Sequence, residues 1–286
     1  MMLRSRTPLH YALFTVLVAL NLYVWIHVIR PAPSYLRVSI LDIGQGDAIL
    51  IESPTGTQVL IDGGPDRSVV RELPKEMGIL DRSLDMVVAT HPDKDHIAGL
   101  ADVFARYTVA TYLDSGVVHH SPYVDALAHA VETEPNLTHL TARRDMQIHL
   151  GGGAYLEVLY PDRSIESVES NTGSVVMRLV YGATSFMLTG DAPAAVENYL
   201  VSLDGTALQS TVLKAGHHGS KTSTSAQWLA HVQPQVVVVS AGKGNSYGHP
   251  SPEVVERIQE FNAELLSTIE RGTIELVSDG QKVWKE

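Results

Sequence analysis

Thr90 to His96 reads Thr-His-Pro-Asp-Lys-Asp-His and sets His91, Asp93, Asp95 and His96 within six residues. The apolar run Met86-Val87-Val88-Ala89 leads into this stretch and Ile97-Ala98-Gly99-Leu100 leads out of it. The four groups therefore sit where a buried strand turns into a helix. A chain built around such a turn is constrained towards an α/β architecture, in which chemistry gathers at the carboxyl ends of strands. Carboxylates and imidazoles at this density repel and compete for partners unless a cation holds them together, which points to a dinuclear metal site. A helix start with acidic residues in its first turn accounts for Asp-x-Asp alone, but not for two flanking His.

The 286 residues allow one large domain or two ordinary ones. Tyr11 to Ile29 is an apolar run broken only by Thr15, Asn21 and His27, close to the roughly 20 residues that span a bilayer. It reads as one N-terminal transmembrane helix, uncleaved because Ile29-Arg30-Pro31-Ala32-Pro33 offers no small-x-small cleavage site. Residues 1–35 are expected to form this anchor and a Pro-rich linker, and 36–286 the globular domain. Arg4 and Arg6 make a short basic head that belongs in the cytoplasm, against the opposing Arg30 and Arg37, which places the domain outside. With no Cys in the chain, any metal must be held by His and carboxylate. A net charge of -11 excludes a protein that wraps duplex nucleic acid by neutralising many phosphates, so any nucleic-acid contact is local to the site.

The remaining pattern is strands and helices in two runs. Leu36 to Asp42, Ala48 to Glu52 and Val59 to Ile61 are strand-like, and Arg71 to Gly78 and Leu100 to Tyr107 helical. Asp42 and Asp47, around Gly44-Gln45-Gly46, read as structural turn residues. Asp62-Gly63-Gly64 closes a strand, and Thr189-Gly190-Asp191 closes the pair Val175–Val180 and Ser185–Leu188 in the same way. Helix Ala194–Val201, strand Thr211–Leu213 with its terminal His217-His218, helix Ser225–His231, strand Val236–Ser240 and helix Pro252–Glu264 follow. Two halves, each a sheet with covering helices, predict a four-layer αβ/βα sandwich with the site between the sheets. Between Thr108 and Asp162 the pattern is weak, and His119, His120, His129, His139 and His149 show no ligand spacing.

The metal loop resembles the His-x-His-x-Asp-His motif of the metallo-β-lactamase superfamily, in the His-x-Asp-x-Asp-His form of the extracytoplasmic hydrolase domain of ComEC-type DNA-uptake proteins. Leu41-Asp42-Ile43-Gly44-Gln45-Gly46-Asp47, Leu60-Ile61-Asp62-Gly63-Gly64, Leu188-Thr189-Gly190-Asp191, Lys214-Ala215-Gly216-His217-His218-Gly219-Ser220 and Asn245-Ser246-Tyr247-Gly248-His249-Pro250 match the same domain in the same order. The resemblance covers nearly the whole chain from about Leu36. It implies the metallo-β-lactamase-like fold, an Asp62 that orients the metal loop, and hydrolysis of DNA or another phosphodiester outside the cytoplasm. In the resembled proteins this domain accompanies a multi-helix channel, which implies a separate channel protein as partner here.

Chemistry then distributes the roles. Asp95 and His96 with His217 or His218 hold one divalent ion, His91 and Asp93 the other, and Asp191 bridges them. Of the adjacent pair, His218 is taken as the ligand and His217 as a substrate contact. Asp95, His217 and His249 are the groups expected next to the reacting atoms, with Ser220 and Lys221 in loops at the same edge. The resembled pattern supplies one more His before the bridging Asp; here that place falls to Asn171, Ser174 or water. With Asp93 in place of an imidazole the first position is oxygen-rich, so Mn²⁺ stands beside Zn²⁺ as occupant. Alternatives are a hydrolase of another ester, a lactam or a wall-polymer phosphodiester, and a non-catalytic metal-binding component of a DNA-uptake apparatus.

Overall fold

Strand β1 (Leu36–Ile40) opens the larger unit of the computed structural model, which describes residues 7–28 and 35–286. The chain divides into two units, Met1–Pro33 and Ser34–Glu286. In the first, α1 (Thr7–Val28) is helical, and its described apolar side chains, Leu13 and Phe14 among them, are exposed. Among the described residues no helix is long and apolar enough to cross a membrane, so the spanning role read from the sequence finds no support here. Ile29, the end of the expected span, and the linker to residue 34 lie outside the described residues.

The second unit is a pair of sheets. β1 continues into β2 (Ile49–Glu52), β3 (Gln58–Ile61), β4 (Ser83–Ala89), β5 (Thr108–Asp114) and β6 (Thr138–Thr141), joined by α2 (Val69–Glu76), α3 (Lys94–Ile97), α4 (Leu100–Phe104) and α5 (Pro122–Thr133). A second sheet takes β7 (Gln147–Gly151), β8 (Ala154–Tyr160), β9 (Val176–Tyr181), β10 (Thr184–Leu188), β11 (Val212–Lys214), β12 (Val236–Val239) and β13 (Glu264–Ser267). Its helices are α6 (Ala194–Asp204), α7 (Ala226–Val232), α8 (Pro252–Glu260) and α9 (Thr268–Arg271). The chain then returns through β14 (Ile274–Ser278) and β15 (Val283–Lys285) to pair β14 with β1, Leu36 opposite Ser278. The orders are β15-β14-β1-β2-β3-β4-β5-β6 and β13-β12-β11-β10-β9-β8-β7.

That return corrects the expectation of two sequence-separate halves, since the last two strands complete the first sheet. Ile274 and Leu276 alternate into the core while Glu275 faces Arg37, a period-2 pattern that pairs as readily with β1 as with a nearer strand. The strands β5, β6 and β7 and helix α5 occupy the weakly patterned stretch. Helix α5 is set locally: Pro122 fills its first turn and the Ser121 hydroxyl accepts from the Val124 N–H.

Three cores define the layers. One, with Val38, Ile51, Val88, Val158, Phe186 and Val238, lies between the sheets. A second packs α2, α4 and α5 on the outer face of the first sheet through Leu73, Leu100 and Leu127, and a third packs α6, α7 and α8 on the second through Leu200, Trp228 and Ile258. This is the expected α/β/β/α sandwich. The runs β3-β4-β5 and β10-β11-β12 are parallel, so each ends on the same kind of edge, and the loops after them carry the His and Asp residues.

Candidate metal centre

The first half of the centre grows from the ends of β3 and β4. Asp62, the residue after β3, takes a positive φ of 59°, which Asp tolerates better than most side chains. Its Oδ1 accepts from the Thr90 N–H at 2.8 Å and its Oδ2 from the Thr90 hydroxyl at 2.7 Å. The same Oδ2 lies 2.7 Å from His96 Nδ1. With Thr90 Oγ1 donating to Asp62, the 3.0 Å contact with His91 Nδ1 has the imidazole as donor. Both rings thus carry hydrogen on Nδ1 and turn Nε2 away from this support.

The second half comes from β10 and β11. Thr189-Gly190-Asp191 follows β10, and Gly190, at φ 50°, lies where a Cβ would stand a tight 3.1 Å from Thr90, so glycine there eases both the backbone turn and the approach of the two loops. His217 and His218 follow β11 with φ of 49° and 55°, sparsely populated values for His that direct both rings to one side. Buried His218 donates from Nδ1 to the Ser240 carbonyl at 3.1 Å and stands 3.2 Å from Asp47 Oδ1. Asp47 Oδ2 in turn meets Lys214 Nζ at 2.8 Å, both side chains buried.

All of this converges on Asp191. Its Oδ1 is 3.2 Å from His96 Nε2, and its Oδ2 is 3.5, 3.6 and 3.9 Å from Nε2 of His218, His217 and His91. Asp95 Oδ2 is 3.4 Å from His218 Nε2 and Asp93 Oδ2 3.8 Å from His91 Nε2. Yet Nε2 of His91, His96 and His218 and Oδ1 of Asp191 are buried without a hydrogen bond among the described residues. Buried polar atoms left this way demand a partner. Single atoms of Asp47, His96, Asp191 and His218 lie within 4.8 Å of one another. Nitrogen lone pairs and carboxylates facing one point suit a divalent cation, so the residues fit the metal that the motif implies.

The charges agree. Burial alone disfavours every ion here, but His96, His218 and His91 outweigh it and hold the Asp191 carboxyl well below its ordinary pKa. Against the same burial, Asp191 and Asp62 push His96 well above the usual imidazole value, and Asp191 and Asp47 raise His218 to about 9. Burial and the neighbouring His96 lower His91. The cluster therefore concentrates negative charge that favours a cation at its centre, whether a proton or a metal.

Not every expected residue joins it. A small cavity at the cluster is lined by Asp93, Asp95, Asp191, His217, His218 and His249. The His249 ring stacks on Tyr247 at 5.7 Å and lies 5.7 Å from His217, in a loop that Asn245 clips at both ends of the His249 backbone. Buried Ser220 is occupied with Thr222, and Lys221 is exposed; neither lines the cavity. Ser174 Oγ accepts from the Asp191 N–H at 3.2 Å, and Asn171 Oδ1 is buried without a partner among the described residues.

One reading needs correction. Asp47 is no plain turn residue: it is buried, ion-paired and part of the cluster. Gly46 beside it must be glycine, because a Cβ there would lie 2.1 Å from the Asp95 carbonyl, and the Asp47 N–H donates to that same carbonyl at 3.2 Å. Lys214 was missed as well. A single Lys in the apolar run Val212-Leu213-Lys214-Ala215 was the available signal, since a cation placed in a buried strand requires a buried anion.

A two-sheet α/β/β/α protein with a His and Asp cluster at the carboxyl edge of both sheets is a metal-site scaffold of a recognisable class. The sequence profile of the metallo-beta-lactamase superfamily matches residues 41–243. The chain belongs to that superfamily, a class of metal-dependent hydrolases. It is 30% identical over 266 residues to ComE operon protein 3 of Bacillus subtilis, covering 84% of this chain and 32% of that protein. It is 29% identical over 240 residues to Competence protein ComA of Neisseria gonorrhoeae, covering 83% and 32%. The chain thus spans about a third of the length of these competence relatives. In fold it is similar to the metallo-beta-lactamase fold protein YhfI from Bacillus subtilis, with a TM-score of 0.55 at 13% identity over 87% of this chain and 99% of that one.

Proposed function

We propose that the domain is a metal-dependent hydrolase that cleaves phosphodiesters, with extracytoplasmic DNA as its substrate. The observation behind this reading is the ring of buried imidazoles whose Nδ1 atoms are engaged while their Nε2 atoms, around Asp191, have no hydrogen-bond partner among the described residues. Asp95, His96 and His218 would hold one divalent ion, His91 and Asp93 the other, and Asp191 would serve both, with Zn²⁺ or Mn²⁺ as occupant. When bound, such a pair supplies a water of lowered pKa and neutralises charge on a phosphoryl oxygen.

The chain's own groups do the rest. His217 is half-buried, with Nδ1 3.1 Å from the Thr222 hydroxyl and Nε2 towards the cluster, so it can bond a substrate oxygen or pass a proton to the leaving oxygen. His249, held against Tyr247, closes the same side of the cavity, and Lys221 offers a cation outside it. Buried Asp62 fixes the ring of His96, and the Ser240 carbonyl, with Asp47 3.2 Å from the same nitrogen, fixes that of His218. The names of the relatives, competence proteins and a Recombination protein 2, support DNA as the substrate class; a separate channel protein as partner is part of the same proposal.

Metal analysis of the full chain, followed by assays with bis-p-nitrophenyl phosphate, DNA and a chromogenic β-lactam, tests the reading. Two divalent ions per chain and cleavage of the first two substrates are expected. Two ions with cleavage of the lactam alone would transfer the site to another bond, and a chain that takes up no ion would overturn it. Membrane anchoring through residues 11 to 29, with the domain outside, is part of the same proposal and rests on the sequence. Protease added to intact spheroplasts should digest the domain; protection until lysis would reverse the orientation.

A further inference from the structure

A second cavity, of about 230 Å³, lies on the other side of the metal loop. His91 and Pro92 form one of its walls, and Asp93, the next residue, lines the cavity at the metal cluster. We infer that this cavity takes the nucleobase of the nucleotide esterified to the phosphorus at the metal centre, an inference that rests on the phosphodiesterase reading above.

Its build fits a planar ring system. Buried Tyr112 and Leu127 form the floor, while Ala128, Glu132 and His139 stand exposed at the mouth. The volume is below the roughly 300 Å³ at which drug-sized pockets begin, which suits one base and not a longer polymer segment. Among the described residues the Tyr112 hydroxyl has no hydrogen-bond partner, although its ring packs against Phe104 and His139. The ring is buried but the hydroxyl stays accessible from the cavity, where a ring nitrogen or carbonyl of a base would accept from it. The polar rim excludes the other half of a nucleotide. Asp114, 2.7 Å from His139 Nε2, and Glu132 make it acidic, so a phosphate is repelled from it and left to the side of the loop where the divalent ions would be held. His91 and Pro92 line this cavity and Asp93 the other, so base and phosphorus of one nucleotide would occupy neighbouring cavities on either side of one loop.

The test compares oligodeoxyadenylate with an abasic oligonucleotide of equal length as substrates of the full, metal-loaded chain. Base–aromatic contact of the kind proposed lowers KM for the base-bearing strand by about tenfold. Ala128→Trp, an exposed helix position, should fill the mouth and erase that difference. Tyr112→Phe should raise KM several-fold with kcat kept. Equal KM for both strands in the parent chain, or a difference that survives Ala128→Trp, would overturn the inference. Saturation-transfer NMR with 2′-deoxyadenosine gives a reading independent of turnover. Transfer that disappears in Ala128→Trp supports the base cavity even if no strand is cleaved, and absence of transfer in the parent refutes it while leaving the hydrolase reading to its own assay.

Discussion

Asp62 and Asp47 each face the outer nitrogen of a buried histidine, but their surroundings differ. Asp62 is held by neutral donors from one neighbouring loop, the Thr90 N–H and hydroxyl, beside His96 Nδ1. Asp47, in the loop after β1, meets a cation delivered from the other sheet, Lys214 at the end of β11, beside His218 Nδ1. The first arm is thus complete within one sheet, whereas the second is assembled only when the sheets pack. Neutral donors satisfy a carboxylate at modest cost, but a buried ion pair repays its desolvation only when both partners are present. His96 is thus oriented within one sheet, whereas His218 donates to the Ser240 carbonyl of its own sheet and meets, across the sheet interface, the Asp47 that Lys214 holds.

Asp191 is the point where the arms meet, and its substitution has the largest expected effect. Asp191→Asn keeps the shape but removes the charge that faces four imidazoles, so metal should be lost from both positions and hydrolysis abolished. Metal counting by plasma emission on the purified variant checks this. Retention of two ions per chain would show that the arms bind independently, and the bridge would have to be given up.

Lys214→Met probes the interface-dependent arm next. It leaves Asp47 buried without its cation, which should cost about 3–5 kcal/mol of stability, read from denaturant midpoints. Adding Asp47→Asn in the same chain should recover most of that loss while metal binding stays weak. If the double variant is no more stable than Lys214→Met alone, the pair is not the source of the cost.

Asp62→Asn and Asp47→Asn compare the arms directly. Loss of an outer carboxylate behind a ligating histidine typically weakens metal affinity by about 10- to 100-fold. Calorimetric titration with Mn²⁺ should place both variants in that range, with Asp47→Asn also lowering stability because Lys214 is then unpaired. An Asp62→Asn chain with the affinity of the parent would remove Asp62 from the orienting role.

The difference between the arms also explains what was legible beforehand. His91, Asp93, Asp95 and His96 crowd one loop behind an apolar strand, and Asp62 and Asp191 stand at strand ends beside glycines, so their clustering could be read from local pattern. The sandwich followed from two runs of strands with covering helices. Asp47 was misread because its neighbours, Gly44 and Gly46, look like an ordinary turn, and its partner lies 167 residues away, from 214 - 47. The return of β14 and β15 to β1 was hidden for the same reason: period-2 alternation sets which face is buried but not which strand is the neighbour. Tyr112 and His139 stood in a stretch without ligand spacing; the pairing of β5 with β6 sets them side by side, and α5 closes the cavity over them.

Ser174→Ala should give the smallest effect and bears on the one place where the resemblance to other members of the superfamily left a gap. Ser174 is fully buried and its hydroxyl accepts from the Asp191 N–H at 3.2 Å, so it acts on the backbone that carries the shared carboxylate. Its Cβ also stands where a side chain at Gly190 would press, 3.3 Å away, which fixes the approach of the two loops. Removing one such hydrogen bond costs about 1 kcal/mol, visible as a small shift in denaturant midpoint. Both ions should remain bound, since the hydroxyl is already engaged and Ala preserves the Cβ contact. Loss of one ion per chain would instead put the Ser174 hydroxyl among the ligands, and the support behind Asp191 would have to be sought in the buried Asn171 Oδ1, which has no partner among the described residues.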